Sequence, residues 1–304
     1  MKGAALEVIL SSPRGFCAGV VRAIDVVDLC LERFGPPVYV KHQIVHNPYV
    51  VAELERKGAI TVETVEEIPP GSVVVFSAHG SPPEDFEDAK ARDLRVIDAV
   101  CPLVTRVHNE AKKYHRGGKQ VLLVGHRGHQ EVRGTMGQVD MTLIDDTPGT
   151  ELPQWDPNTP VAVLTQTTLS VGDTAEAIDN IQGRFPDAIV RTDICYATTN
   201  RQDAVTKMAS LVDMVLVIGA LNSSNCNRLR EVAEGLGVPA YLVNGPEEID
   251  PTWLVGKDRV GITSGASTPE VLVESVIASL AAEKVTMITG VEEDVTFTLP
   301  KELR

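Results

Sequence analysis

Positive charge is scarce in this chain: 28 lysines and arginines stand against 42 aspartates and glutamates, a formal net charge of −14 over 304 residues. Nucleic acid is therefore excluded as a general partner, since a phosphate backbone demands a basic footprint; a local site can still take a small anion. Aromatic residues are equally sparse at 4 %, while aliphatic side chains supply most of the 43 % hydrophobic content, a composition that suits an α/β protein. No apolar run approaches the length of a membrane span, and Met1-Lys-Gly-Ala-Ala-Leu-Glu-Val8 lacks the apolar stretch of a signal peptide. Neither a GxxxxGK(S/T) loop nor a convincing GxGxxG occurs, so ATP and nicotinamide cofactors lack support. Close CxxC spacing is missing too, and five cysteines is an odd count for a disulfide framework. Reduced thiols acting as ligands in a soluble, cytoplasmic enzyme are the expectation.

What the chain does have is one pattern in three copies. Cys17, Cys101 and Cys195 each follow a short strand-like run: Leu6–Leu10, Arg95–Asp98 and Ala188–Val190. About 28 residues after each cysteine comes a polar residue at another strand end: His46, His129 and Ser223. His79, Thr167 and Ser267 follow at 62, 66 and 72 residues past their cysteines. Self-similarity of this kind marks repeated supersecondary units, and ligands in open α/β sheets gather outside the carboxyl ends of the strands. Three such units about one centre would bring three thiolates and six polar side chains to a point. Three thiolates with no fourth cysteine in register suggest an iron–sulfur cluster with one iron left open.

Apolar runs alternating with amphipathic stretches predict βα units and mostly parallel sheets. Strands are expected at 6–11, 38–41, 73–77, 95–98, 120–124, 142–145, 161–164, 188–191, 214–218, 240–243 and 259–262. Helices are expected at 18–34, with Val20, Ile24, Val27 and Leu31 on one face, at 222–236 behind an Asn-Ser-Ser-Asn cap, and at 268–283, with Thr268 as cap and Pro269 at the first position. The expected division is 13–101, 102–195 and 196–284, each an α/β lobe, with the N-terminal strand of 1–12 joining the third and 285–304 a polar tail. The register of the cysteine-bearing strands requires that N-terminal strand to close the third unit.

Each cysteine of the triplet stands just before a helix, where the helix dipole favours a thiolate. Cys30 and Cys226 break the register: Cys30, beside the apolar face of the first helix, reads as core, and Cys226, in the first turn of a helix where a thiol can be reactive, reads as a bystander. His46, His79 and His129 follow strand ends at matched offsets and are candidate site residues; His42 and His126 are offset, and His108 and His115, in a charged helical stretch, read as solvated. Ser223, Ser224, Asn225 and Ser267 pair small polar side chains with helix N-termini, an arrangement that suits a diphosphate. Glu131 is the only carboxylate in register with the polar centre and is the candidate general acid, with Thr167 and Thr168 placed to orient a hydroxyl. A Cys₃His zinc site and a non-catalytic iron–sulfur sensor are the competing interpretations.

Gly-Phe-Cys17-Ala-Gly, His46-Asn-Pro-Tyr, Ser-Ala-His79-Gly, Gly-Thr-Met-Gly-Gln138, Thr-Gln-Thr-Thr-Leu-Ser170, Ile-Cys195-Tyr-Ala-Thr-Thr-Asn-Arg-Gln202, Asn222-Ser-Ser-Asn225 and Gly-Ala-Ser267 are together a specific set. The chain resembles the 4-hydroxy-3-methylbut-2-enyl diphosphate reductase family over nearly its whole length. That resemblance implies three α/β lobes in pseudo-threefold arrangement around a central 4Fe–4S cluster held by Cys17, Cys101 and Cys195. It implies that His46, His79, Ser223, Ser224, Asn225 and Ser267 hold the diphosphate, and that His129, Glu131 and Thr167 serve the hydroxyl end. The implied reaction of isoprenoid synthesis places the substrate hydroxyl on the open iron and removes it as water with two electrons and two protons, giving isopentenyl and dimethylallyl diphosphate. Ferredoxin or flavodoxin is the implied donor, and because such carriers are acidic, a local basic patch is expected despite the −14 total. Where the family commonly has proline before the glutamate and a second glutamate two residues after it, this chain has Gln130 and Arg133; Cys226 replaces a residue that is often serine.

Overall fold

The computed structural model describes residues 6–145 and 150–304, apart from the side chain of Asp173; the first five residues of the segment 1–12 lie outside the described residues. Along the chain, β1 (Glu7–Leu10) leads into α1 (Ala18–Phe34), then β2 (Val38–Lys41), α2 (Pro48–Arg56), β3 (Ala59–Val62), β4 (Val73–Phe76), α3 (Pro83–Ala91) and β5 (Arg95–Asp98). Next come α4 (Pro102–Arg116), β6 (Gln120–Val124), α5 (Gln130–Met136), β7 (Thr142–Ile144), β8 (Val161–Thr165), α6 (Val171–Arg184) and β9 (Ile189–Val190). The last part holds α7 (Tyr196–Ala209), β10 (Met214–Ile218), α8 (Ser224–Gly235), β11 (Ala240–Val243), β12 (Arg259–Ser264), α9 (Glu270–Ser279) and β13 (Lys284–Met287).

The strands form three parallel sheets that repeat one order: β3-β2-β4-β5, β7-β6-β8-β9, and β11-β10-β12-β1 with β13 added outside β1. β1 pairs Leu10 with Ile262 on one side and with Met287 on the other, so it closes the third sheet, where the cysteine register places it. Every residue of β8 and β10 is buried, as expected of inner strands of a parallel sheet with both faces covered. One compact unit comprises residues 6–18, 46–50 and 196–296 around the five-stranded sheet; the other comprises 19–45, 51–195 and 297–304 with both four-stranded sheets.

Local differences from the sequence pattern have physical causes. β3 and β13 add to the expected strands; both lie at sheet edges, and β13 is exposed throughout, so it lacks the apolar run that marks a strand in the sequence. The segment 285–304 begins inside β13, and Arg22 donates to the Thr298 carbonyl and Arg33 to that of Glu302. The buried stripe of α1 runs through Val20, Ala23, Val27 and Cys30, leaving Ile24 and Leu31 half-buried. Thr268 does not cap α9: its hydroxyl donates to the Ile218 carbonyl instead, Pro269 takes the cap position and Glu270 opens the helix.

His108 corrects the sequence interpretation most clearly. It is buried with Val104, Val107, Ala111 and Tyr114 on the inner face of α4, and burial pushes its pKa down to about 4. The density of charge on the opposite face of α4 masked this stripe. His108 packs so closely on Gly80, which has φ +83°, that a Cβ there would stand 2.8 Å from its ring.

Candidate functional site

Each cysteine of the triplet sits at the carboxyl end of the fourth strand of its sheet, in the order just given: Cys101 after β5, Cys195 after β9 and Cys17 after β1. The backbone repeats more than the order. The N–H of Cys101 donates to Ala78 O at 2.9 Å, that of Cys195 to Thr167 O at 3.0 Å and that of Cys17 to Ala266 O at 3.1 Å. In every case the acceptor belongs to the loop leaving the neighbouring strand, at or just before the polar residue of the repeat: His79, Thr167 or Ser267. All three cysteines are half-buried and directly precede or cap a helix, α4, α7 and α1, whereas Cys30 and Cys226 are buried. Burial raises the Cys30 thiol to about 11 and also raises Cys226. Cys226 fills space that Gly265 leaves open, since a Cβ there would lie 2.2 Å from its sulfur. Among the described residues, no three His, Cys, Asp or Glu side chains stand together as a ready metal-holding group.

The five-stranded unit gathers Cys17, His46, Ser223, Ser224, Asn225 and Ser267. β10 delivers the 222–225 loop and β12 the 265–268 loop, and these two strands are adjacent. Ser223 caps α8 by accepting from Cys226 N, and Asn225 Oδ1 accepts from Ala266 N at 3.0 Å, tying the two loops together. Ser267 donates to His46 O at 3.0 Å, and the Asn222 amide lies 3.5 Å from His46 Nδ1. Ser223, Ser224 and Asn225 are buried polar residues at the positive end of a 12-residue helix, and Ser267 is buried in the adjoining loop. An anion there would meet hydroxyls, an amide and backbone N–H groups.

The other unit gathers Cys101, Cys195, His79, His129, Glu131, Thr167 and Thr168. The His79 and His129 rings stand edge to face, 5.9 Å between centroids. Glu131, in the first turn of α5, is buried and accepts from Thr167 N at 2.6 Å and Thr167 Oγ1 at 2.9 Å. Burial drives its pKa up to about 7, against the lowering effect of those two hydrogen bonds and with a contribution from the Asp193 carboxylate. His129 Nδ1 accepts from Glu131 N at 3.1 Å, so the neutral ring carries its proton on Nε2. Asp193 is itself raised to about 6 by burial and by Glu110, partly relieved by Arg106.

Gln166 and Arg201 have roles that no local pattern announces, and Arg133 finds its partner on another helix. Gln166, buried, accepts from His126 N at 3.0 Å and donates to Thr168 Oγ1 at 2.8 Å, joining the loops after β6 and β8. Arg133 meets Asp85 of α3 at 3.4 Å, and Asp85 is also ion-paired with the buried Lys41. Arg201, wholly buried, donates to Gly15 O at 2.7 Å, to Ala197 O at 2.9 Å and to both oxygens of Glu293. It pins the loop that ends in Cys17. Arg201→Met leaves a half-buried carboxylate and the Gly15 carbonyl without their donor, and is expected to cost about 1–3 kcal/mol in urea unfolding. A loss below about 1 kcal/mol would contradict that role.

The profile of the LytB protein family matches residues 8–281. The chain is 53 % identical over 306 residues, 97 % of this chain and 99 % of the relative, to 4-hydroxy-3-methylbut-2-enyl diphosphate reductase 1 of Rhodopseudomonas palustris. It is 53 % identical to the reductase of Aromatoleum aromaticum, covering 98 % of each chain. Among solved structures, the E-1-hydroxy-2-methyl-but-2-enyl-4-diphosphate reductase of Plasmodium falciparum is similar with a TM-score of 0.92 and 35 % identity, over 99 % of this chain and 97 % of that one. A second structure, of (E)-4-hydroxy-3-methyl-but-2-enyl diphosphate reductase, the terminal enzyme of the non-mevalonate pathway, aligns with a TM-score of 0.65 and 34 % identity, over 90 % and 99 %.

Proposed function

The chain belongs to the LytB protein family, and from that premise we propose how its residues act as a 4-hydroxy-3-methylbut-2-enyl diphosphate reductase. It is an oxidoreductase of isoprenoid synthesis that removes the allylic hydroxyl as water, with two electrons and two protons, to give isopentenyl and dimethylallyl diphosphate. The observation that carries the assignment of roles is the buried Glu131 carboxyl, held twice by Thr167 and able to keep its proton near neutral pH.

Cys17, Cys101 and Cys195 are the proposed ligands of a 4Fe–4S cluster. Their fit rests on donor chemistry: three half-buried thiols, each beside a helix N-terminus and each anchored by the same backbone hydrogen bond. When bound, the cluster supplies single electrons and a Lewis-acidic iron for the substrate oxygen. Ser223, Ser224, Asn225, Ser267 and His46, with His79, hold the diphosphate. Thr167 and Thr168 orient the hydroxyl end, fixed in place by Glu131 and Gln166 respectively. Glu131 gives its proton toward the leaving oxygen, and His129, donating from Nε2, steadies that end. No helix among the described residues is long and apolar enough to cross a membrane, and a cytoplasmic site of action with ferredoxin or flavodoxin as donor completes the proposal.

Anaerobically purified protein tests it. A broad visible iron–sulfur absorption, with conversion of the diphosphate by reduced methyl viologen, is the expected result. A colourless, iron-free protein with tightly bound zinc, or an iron–sulfur protein inert toward the diphosphate, refutes it.

A further inference from the structure

The outer face of α4 carries a stripe that the site does not use. Arg106, Asn109, Lys113 and Arg116 recur at i, i+3, i+7 and i+10 and are all exposed, opposite the buried stripe of Val104, Val107, Ala111 and Tyr114. Lys112 and Lys119 flank it, and across a shallow groove of about 540 Å³ lies Arg191, just past the edge strand β9. Arg191 is held by Tyr114 Oη at 3.2 Å and faces Glu110 at 3.8 Å, the one carboxylate of residues 102–120. Exposed Ile189 sits in the same groove. In a chain of net charge −14, this is a strongly cationic surface with an apolar spot inside it.

The position of the stripe matters as much as its sign. α4 begins at Pro102, immediately after Cys101, and Arg106 pairs at 3.3 Å with Asp193, two residues before Cys195. The inner end of the stripe therefore borders the backbone of both cysteines of this unit. From Arg106 to Arg116 is about 15 Å at 1.5 Å per residue, well within the roughly 800 Å² that each partner covers in an ordinary protein complex.

We propose that the Arg106–Lys113–Arg116 face of α4, with Arg191 and Lys119, is the docking surface for an acidic one-electron carrier protein. This deepens the proposed function and rests on it, since it is that reaction that calls for single electrons from outside. The cations speed encounter with an acidic partner and orient it, the effect that complementary charge has at transient interfaces. Asn109 and the groove beside Ile189 supply contact area free of carboxylates.

The test is Lys113→Glu/Arg116→Glu in the cluster-loaded enzyme, with Lys90→Glu, an exposed cation on α3, as control. With a plant-type ferredoxin as donor at low ionic strength, the double variant is expected to need at least about tenfold more carrier for half-maximal rate. Its rate should also lose most of its salt dependence. With reduced methyl viologen it should match the wild type, and Lys90→Glu should match it with both donors. An unchanged carrier requirement in the double variant overturns the docking surface. Failure of the wild type to turn over with methyl viologen sinks the proposed function instead. Direct titration with ferredoxin then still decides the surface: binding weakened by the double variant upholds it, and equal binding, or none by the wild type, overturns it.

Discussion

Glu131→Gln is expected to lower turnover by about 10²–10⁴ while leaving the visible spectrum and substrate binding close to normal. Glutamine keeps the shape and can still accept from Thr167 N, the 2.6 Å bond that fixes the side chain. What it cannot do is release a proton, and hydroxide leaves poorly without one. The pH profile separates this role from a structural one. With the carboxyl raised to about 7, the acid form is lost as pH rises through neutrality, so the wild-type rate should fall on the alkaline side. The glutamine variant should show no such limb. Stability follows the same proton with a definite sign. The folded state binds it more tightly than the unfolded chain, so stability declines as pH rises from about 4.5 to about 7. At pH 8 the glutamine variant escapes that decline and should be the more stable protein, by up to about 3 kcal/mol. Ser267→Ala, at the diphosphate end, should instead weaken substrate binding by about 1–3 kcal/mol with little effect on the spectrum. Wild-type turnover by Glu131→Gln would assign the proton to water or His129.

The sequence was most informative where a backbone rule repeats. A strand end, a cysteine and a helix start recur three times, and the structure places these cysteines at the same strand of three identically ordered sheets. That β1 joins the third sheet follows from the same logic, although some 250 residues of chain separate it from β12; its second neighbour, β13, does not follow from it. Partners formed by long-range contact were not legible. Nothing local in Asn200-Arg201-Gln202 announces that Arg201 is wholly buried and spans Gly15 and Glu293, because neither partner lies nearby in the chain. Gln166 sits inside the Thr165–Ser170 motif, yet its amide bridges two loops only once β6 and β8 are neighbours. His108 reads as solvated because charged residues crowd its helix, yet it lies on the buried stripe with Val104, Val107, Ala111 and Tyr114 and packs on Gly80. At Thr268 a good local cap signal is overridden by the carbonyl of Ile218 in the adjacent strand.

Replacement of any one of Cys17, Cys101 and Cys195 by serine is expected to abolish turnover and to leave protein without the brown chromophore, measured as iron and sulfide per chain after anaerobic purification. Serine is nearly isosteric, so the fold and the three backbone hydrogen bonds to Ala266, Ala78 and Thr167 should survive. What is lost is a soft thiolate, the ligand that iron–sulfur centres select. Cys30 and Cys226 provide the internal comparison. Both are buried with their thiols pushed up by that burial, which opposes the deprotonation a ligand needs. Cys226→Ser should keep iron, sulfide and activity, its hydroxyl entering a pocket already lined by Ser223 and Thr268. Cys30→Ser places a hydroxyl in the apolar stripe of α1 and should cost about 1–3 kcal/mol of stability while keeping the cluster. The ordering of the five variants is the test. Iron retained in Cys101→Ser but lost in Cys226→Ser would show that the repeated register marks a structural device of the sheets and that the ligands lie elsewhere.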